Sequence, residues 1–227
     1  MEPSIIAFIP IRKGSKGVPN KNMRILGDKP LICWVLDTLL NSKLFTEIWV
    51  ATDSKYAEQF LLKRYQDTVH FFRRSDKSAT DDAPVIDVLT EFLRSKSEAL
   101  DSIIFLSQAT VPFVSVSDIS AAVSMILKDS EHDSWISCSR VKKFCWTKEG
   151  QSLNYALDKK PRRQEYDGIL VENGAFYASK GSTIMETGMV ISKKIAVIES
   201  SHGTELDIDT EEDWKMAELF VKYGLYS

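Results

Sequence analysis

Four cations crowd one glycine-hinged stretch, FIPIRKGSKGVPNKN, in which Arg12, Lys13, Lys16 and Lys21 surround Gly14 and Gly17. Glycine lets backbone N–H groups approach an oxyanion, and several cations together neutralise a polyphosphate. The stretch is neither a Walker A sequence nor GxGxxG, and taken alone it serves equally well as a solvated basic turn. A second group stands near the other end, where ELDIDTEEDW sets Asp207 and Asp209 two residues apart. In an extended segment that spacing puts both carboxylates on one face, a geometry for sharing a hard divalent cation. The competing reading is a strand exit before a capped helix, with Asp213 three residues after Thr210 supplying N-terminal charge. Side by side, a polyphosphate loop and a metal pair point to nucleotide chemistry.

Two further groups are candidates. In KKPRRQEYDG, Arg162 and Arg163 offer guanidinium forks that match a carboxylate bidentately, although a solvated basic tract has the same composition. In SQATVP, Gln108 follows an apolar run, where its amide pairs with ligand hydroxyls or simply satisfies a buried turn. Tyr177, in ENGAFY, reads by default as core.

The elements that must carry these residues are legible from periodicity. Residues 4–11, SIIAFIPI, form a continuous apolar run, suited to a strand covered on both faces. PLICWVLDTLL then places Leu31, Val35 and Leu39 at helical spacing. EIWVATD predicts a second strand, with Ser54 capping the helix that follows, and TVHFF a third. A helix is expected from Asp82-Ala83-Pro84, with Val85, Val88, Leu89 and Phe92 on its stripe. SIIFL, a helix capped by Ser117, and DSWISCSRV continue the alternation. Between about 140 and 171 the rhythm breaks into a polar, aromatic-spotted excursion, after which GAFYAS, KIAVIES and ELDID read as strands before a last helix capped by Thr210. The alternation predicts an α/β fold, a mostly parallel sheet covered on both faces, in a single domain spanning 1–227. In such sheets ligands sit beyond the carboxyl ends of strands, which is where residues 12–22 fall.

Composition bounds the function. The chain has 227 residues, 44% apolar and 27% charged, with a net charge of -3, so no global basic field recruits nucleic acid or a membrane surface. Cys33, Cys138 and Cys145 show no CxxC spacing, and His70, His132 and His202 are scattered, which favours core filling in a reducing compartment over a zinc site. The apolar run Ile5 to Ile11 is short and lacks the basic start of a signal peptide, so a cytoplasmic location is expected.

Read together, IRKGSKGVPNKN, RRSDKSATDD, LSQATVP, KPRRQEYDGILVENGAFY and ELDIDTEEDW resemble, in order and spacing, the acylneuraminate cytidylyltransferases, and the PRRQ block resembles their animal-type branch. The resemblance covers nearly the whole chain. It implies a nucleotide-diphospho-sugar transferase fold, Rossmann-like and three-layered, and a homodimer in which the excursion reaches the partner's site. The implied reaction couples CTP to a nine-carbon 2-keto sugar acid, N-acetylneuraminate or its deaminated analogue, releasing pyrophosphate. The match sets Arg12, Ser15, Lys16 and Lys21 at the triphosphate, with Lys21 nearest the α-phosphate. It sets Asn22 at the ribose, and Arg74 with the segment around Ala83 at cytosine. Asp207 and Asp209 fall at the Mg2+ ligands, and Gln108, Arg163 and Tyr177 at the sugar acid, with Arg163 facing its carboxylate. Arg12, Lys21 and Asp209 are thus the expected catalytic residues. Several bacterial members hold an N-acyl group against two phenylalanines, whereas GSTIMETGMVIS offers only Met189, Val190 and Ile191. With the sequence ending at Ser227, the phosphatase-like domain some members append is not expected. The same reaction on 3-deoxy-octulosonate, and a non-catalytic nucleotide-binding protein, are the alternatives.

Overall fold

The computed structural model describes residues 3–14, 17–201 and 204–226. The opening apolar run is β1 (Ile5–Pro10), and its side chains alternate between two cores. Ile5, Ala7 and Ile9 pack with α1 (Leu31–Ser42), α2 (Lys55–Tyr65) and α4 (Val116–Lys128). Ile6 and Phe8 pack with α3 (Val85–Ser95) and α5 (Gly181–Thr187) on the opposite face. That two-sided burial explains an uninterrupted hydrophobic strand and gives three layers.

Among the described residues the main sheet has seven strands. They are β1, β4 (Glu47–Thr52), β5 (His70–Arg73), β6 (Ile103–Ser107), β7 (Ser134–Val141), β8 (Ile169–Lys180) and β9 (Ile195–Glu199), in the order β5-β4-β1-β6-β8-β7-β9. All but β8 run one way; β8 is antiparallel to both of its neighbours, β6 and β7. The order reverses between β1 and β6, and this switch point opens a crevice beyond their carboxyl ends. Two short strands, β2 (Ile25–Leu26) and β3 (Lys29–Pro30), form a small separate hairpin ahead of α1.

Helix boundaries follow their caps. The Ser54 hydroxyl accepts the Ala57 N–H at the start of α2. A reciprocal capping box of Thr210 and Asp213 starts α6 (Glu211–Tyr223). The α4 cap is Ser115 rather than Ser117: Ser115 and Asp118 form the box, and Ser117 lies inside the first turn. ELDID is likewise not a strand. Glu205 lies in a turn, and residues 206–209 pair with no sheet strand, because Ile208 faces a third core with Val18, Leu31, Trp34 and Trp214. Ile208 is fully buried, worth about 1.5–3 kcal/mol, and its N–H donates to the Thr110 carbonyl at 2.9 Å. This anchor sets both flanking aspartates.

One irregularity positions the site. Ile136 pairs with Tyr177 and Cys138 with Glu172, so two residue steps along β7 answer five along β8. The surplus is taken up by a bulge at Asn173, Gly174 and Ala175, where Gly174 adopts φ +71°. The segment 142–168 leaves the sheet between β7 and β8, closed by an antiparallel bridge between Trp146 and Ser152 and by contacts of Phe144 with Tyr155 and Tyr166.

Candidate active site

A cleft of about 650 Å³ occupies the switch point, and most of the sequence-predicted residues line it: Arg12, Lys21, Asn22, Arg74, Ala83, Gln108, Tyr177 and Asp209. Val85, Val190 and Ile191 add apolar wall, whereas Met189 is exposed. Ser15, Lys16 and His202 lie outside the described residues. Arg163 is exposed in the excursion and does not line this cleft.

The first wall comes from the loop after β1. Lys21 opens a 3-10 turn, is largely buried, and donates to Asp209 Oδ1 at 2.8 Å and to the Ile208 carbonyl. Gly17 lies so close to the opposite segment that a Cβ would collide with the Asp209 carbonyl oxygen. The opening loop and the acidic segment are therefore built against each other. Arg12 pairs with Asp81, which bridges this loop to the turn before α3. Lys13 donates its backbone N–H to Asp53 Oδ1 at 2.6 Å.

The second wall holds Arg74, which is buried and donates to the Ser78 carbonyl, while its Nε has no hydrogen-bond partner among the described residues. Burial pulls its pKa down, against the pull of Asp53. Glu91 fixes this turn by accepting from the hydroxyls of Ser75, at 2.5 Å, and Ser78, at 2.7 Å. Its own burial opposes ionisation, but those bonds hold its pKa below the usual carboxylate value.

The third wall is built by β6 and β8. Gln108 follows β6 directly, and Tyr177 donates to Glu172 Oε2 at 3.3 Å. In a regular strand residues five apart face opposite sides; the bulge brings both into the cleft. Burial, and then the charge of Glu172, push the Tyr177 phenol up to about 12. Glu172 escaped the sequence reading because alternation from Tyr177 turns it away. Gly174 between them was the available signal, since glycine inside a strand marks a bulge.

Asp207 and Asp209 are not equivalent. Asp209 is exposed at the cleft, while Asp207 lies behind it with Oδ2 3.3 Å from where a Cβ on Gly174 would stand. Asp207 Oδ1 is buried with no hydrogen-bond partner among the described residues. Burial raises the Asp207 pKa, a Thr110 hydrogen bond opposes this, and the Asp209 charge adds to it. An orphaned buried carboxylate oxygen beside a second acid fits a hard divalent cation, which would relieve both penalties.

A doubly covered sheet with cations and acids lining a cleft at its switch point defines the class, a doubly wound α/β protein with a ligand cleft beyond the carboxyl ends of its strands. More narrowly, the chain belongs to the cytidylyltransferase family, whose model matches residues 6–224. It is 38% identical over 230 residues to an N-acylneuraminate cytidylyltransferase of Oncorhynchus mykiss, covering 98% of this chain and 51% of that one. It is 31% identical to a CMP-N,N'-diacetyllegionaminic acid synthase of Legionella pneumophila, covering 96% of each. The chain thus spans about half the length of the trout relative and nearly all of the Legionella one. The fold is similar to that of a CMP:2-keto-3-deoxy-manno-octonic acid synthetase complexed with CTP, with TM-score 0.68, 17% identity, and coverage of 97% of this chain and 99% of that one.

Proposed function

We propose that this protein transfers the cytidylyl group of CTP to the anomeric hydroxyl of a nine-carbon 2-keto sugar acid of the neuraminate type, releasing pyrophosphate. The observation that carries the reading is that Lys21 and Asp209, bonded to each other, line the same cleft as Gln108 and Tyr177.

Arg12 and Lys21, with Ser15 and Lys16, bind the triphosphate, and their charge stabilises the negative charge that moves onto the departing pyrophosphate. Asn22 holds the ribose, and Arg74 with the turn at Ala83 receives cytosine. Asp207 and Asp209 would hold Mg2+, which would supply Lewis acidity to the phosphoryl transfer. Gln108 and Tyr177 orient the sugar acid by its hydroxyls. Attack is direct, from hydroxyl oxygen to α-phosphorus, and no enzyme nucleophile is required.

Arg163 binds the substrate carboxylate in the partner's cleft of a homodimer. The exposed Trp146, Leu153 and Leu157 on the excursion support that assembly, since together they offer apolar surface to a second copy. The protein acts in the cytoplasm. Apolar Val190 and Ile191, without an aromatic pair, leave room for either an acylamino or a hydroxyl group at C5 of the sugar.

Pyrophosphate release and product mass with CTP and magnesium test the reading, against N-acetylneuraminate, the deaminated acid, N,N'-diacetyllegionaminate and 3-deoxy-octulosonate. Release with the deaminated acid or N-acetylneuraminate is the expected result. Release with 3-deoxy-octulosonate alone, or with none of the four, overturns it.

A further inference from the structure

Asn173 sits inside the β8 bulge, 7% exposed, and uses both ends of its amide. Its Nδ2 donates to Ser139 Oγ and to Thr204 Oγ1, both at 3.0 Å. Its Oδ1 accepts from Ser137 Oγ at 2.7 Å and from the Ala175 N–H at 3.1 Å. Only a primary amide offers two donors and a two-lone-pair acceptor in so small a side chain. Asn173 therefore ties three things together: β7 through the two serines, the bulge through Ala175, and the segment leading to Asp207 through Thr204, which is itself fully buried. Thr204 passes the link on by donating to the Ser201 carbonyl at 2.9 Å.

The adjacent residue grips the same region from the other side. A Cβ on Gly174 would stand 3.3 Å from Asp207 Oδ2 and 3.6 Å from Gln108 Nε2. The bulge thus packs against the acid and the amide, while its flanks carry Glu172 and Tyr177.

We infer that Asn173 is a positioning residue of the site: by locking the β8 bulge to Thr204 it fixes the buried Asp207 carboxylate toward a divalent cation, and sets Glu172 and Tyr177 at the sugar-acid end. The inference rests on the reading of Asp207 as a magnesium ligand. Hydrogen-bonded partners that orient metal ligands alter affinity or activity about 10–100-fold when removed. Asn173 acts one step further out, through backbone and packing, and the loop carrying Arg12 and Lys21 belongs to other elements.

The test compares Asn173→Asp, which retains the acceptor and loses both donors, with Thr204→Val, which removes the receiving hydroxyl at equal volume, and Thr204→Ser, which restores it. Mn2+ serves as the metal probe, titrated against each folded protein by electron paramagnetic resonance, alongside steady-state kinetics with CTP. The expected result is weaker Mn2+ binding in Asn173→Asp and Thr204→Val, with kcat down about tenfold or more and KM for CTP within about twofold. Thr204→Ser should recover both properties. Unchanged Mn2+ binding in folded Thr204→Val, or a loss confined to KM for CTP, overturns the inference, and so does a fall in thermal midpoint alone. Thr204→Val keeps the test decisive should Asn173→Asp not fold. If the wild-type protein turns over no sugar acid, the proposed activity fails, while the Mn2+ comparison still decides the role of Asn173.

Discussion

Lys21 Nζ stands 2.8 Å from Asp209 Oδ1, across 188 residues of sequence. The lysine side chain is largely buried and the aspartate largely exposed. So open a pair contributes at most about 1 kcal/mol to stability. Its weight lies in chemistry, because both groups face the cleft where phosphate and metal meet in the proposed reaction.

Asp209→Asn should therefore reduce pyrophosphate release at least about 100-fold while leaving the fold intact. The thermal midpoint should move by no more than about 4 °C. Turnover and thermal melts on the same preparation check this, and unchanged turnover would remove Asp209 from the metal site.

Gly17→Ala should be severe for a different reason. The added methyl meets the carbonyl of Asp209 rather than a side chain that can swing aside. The opening loop must then lift from the acidic segment. A displacement of that order costs about 100-fold in rate, and the thermal midpoint should fall as well. Retention of full activity would show that the loop docks elsewhere during turnover.

If Arg163 serves the partner's cleft, two inactive variants should rescue each other. Lys21→Ala and Arg163→Ala, mixed and allowed to exchange subunits, give heterodimers with one intact site, so activity should recover to about a quarter of wild type. No recovery, with exchange confirmed by mass, would place Arg163 in its own subunit's cleft or outside the site.

Acid should loosen the approach to Asp207. Asp118 accepts the N–H and hydroxyl of Ser201, at 2.9 and 2.8 Å, besides capping α4 with Ser115. Burial alone would raise its pKa, but these bonds hold it below the ordinary 3.8. A depressed folded-state pKa contributes stability that is present above the unfolded value and lost as pH falls through the folded one. The urea midpoint should consequently drop below about pH 4, and Asp118→Asn should reduce that drop. Equal acid sensitivity in the variant would assign the effect to other carboxylates.

The parallel part of the fold was legible because its signals are local. The β1 run is apolar on both faces, Ser54 is a cap in the expected place, and α1 and α3 carry clear stripes. The reversal of β8 was not legible, since direction is set by pairing with β6 and β7 rather than by periodicity. Its bulge hid Glu172 for the same reason. Ser115-x-x-Asp118 carries the capping-box signature and Ser117, two residues on, has the same cap chemistry, so residue type alone does not separate them. ELDID alternates like a strand, yet Ile208 is recruited by α6 and the opening loop, so it packs without pairing. Of the two aspartates, spacing gave the pair but not the difference in burial that separates them.

The third core has a temporal consequence. Val18 and Ile208 share it, although nearly the whole sequence lies between them. Contacts this distant along the chain form late, after the cost of closing a long loop has been met. On the ribosome, the strands from β1 to β6 can begin to pack while Lys21 still lacks its partner. The cleft then becomes competent only when the segment around Asp209 emerges, so the proposed nucleotide would bind after that segment has docked and give no help to earlier folding intermediates.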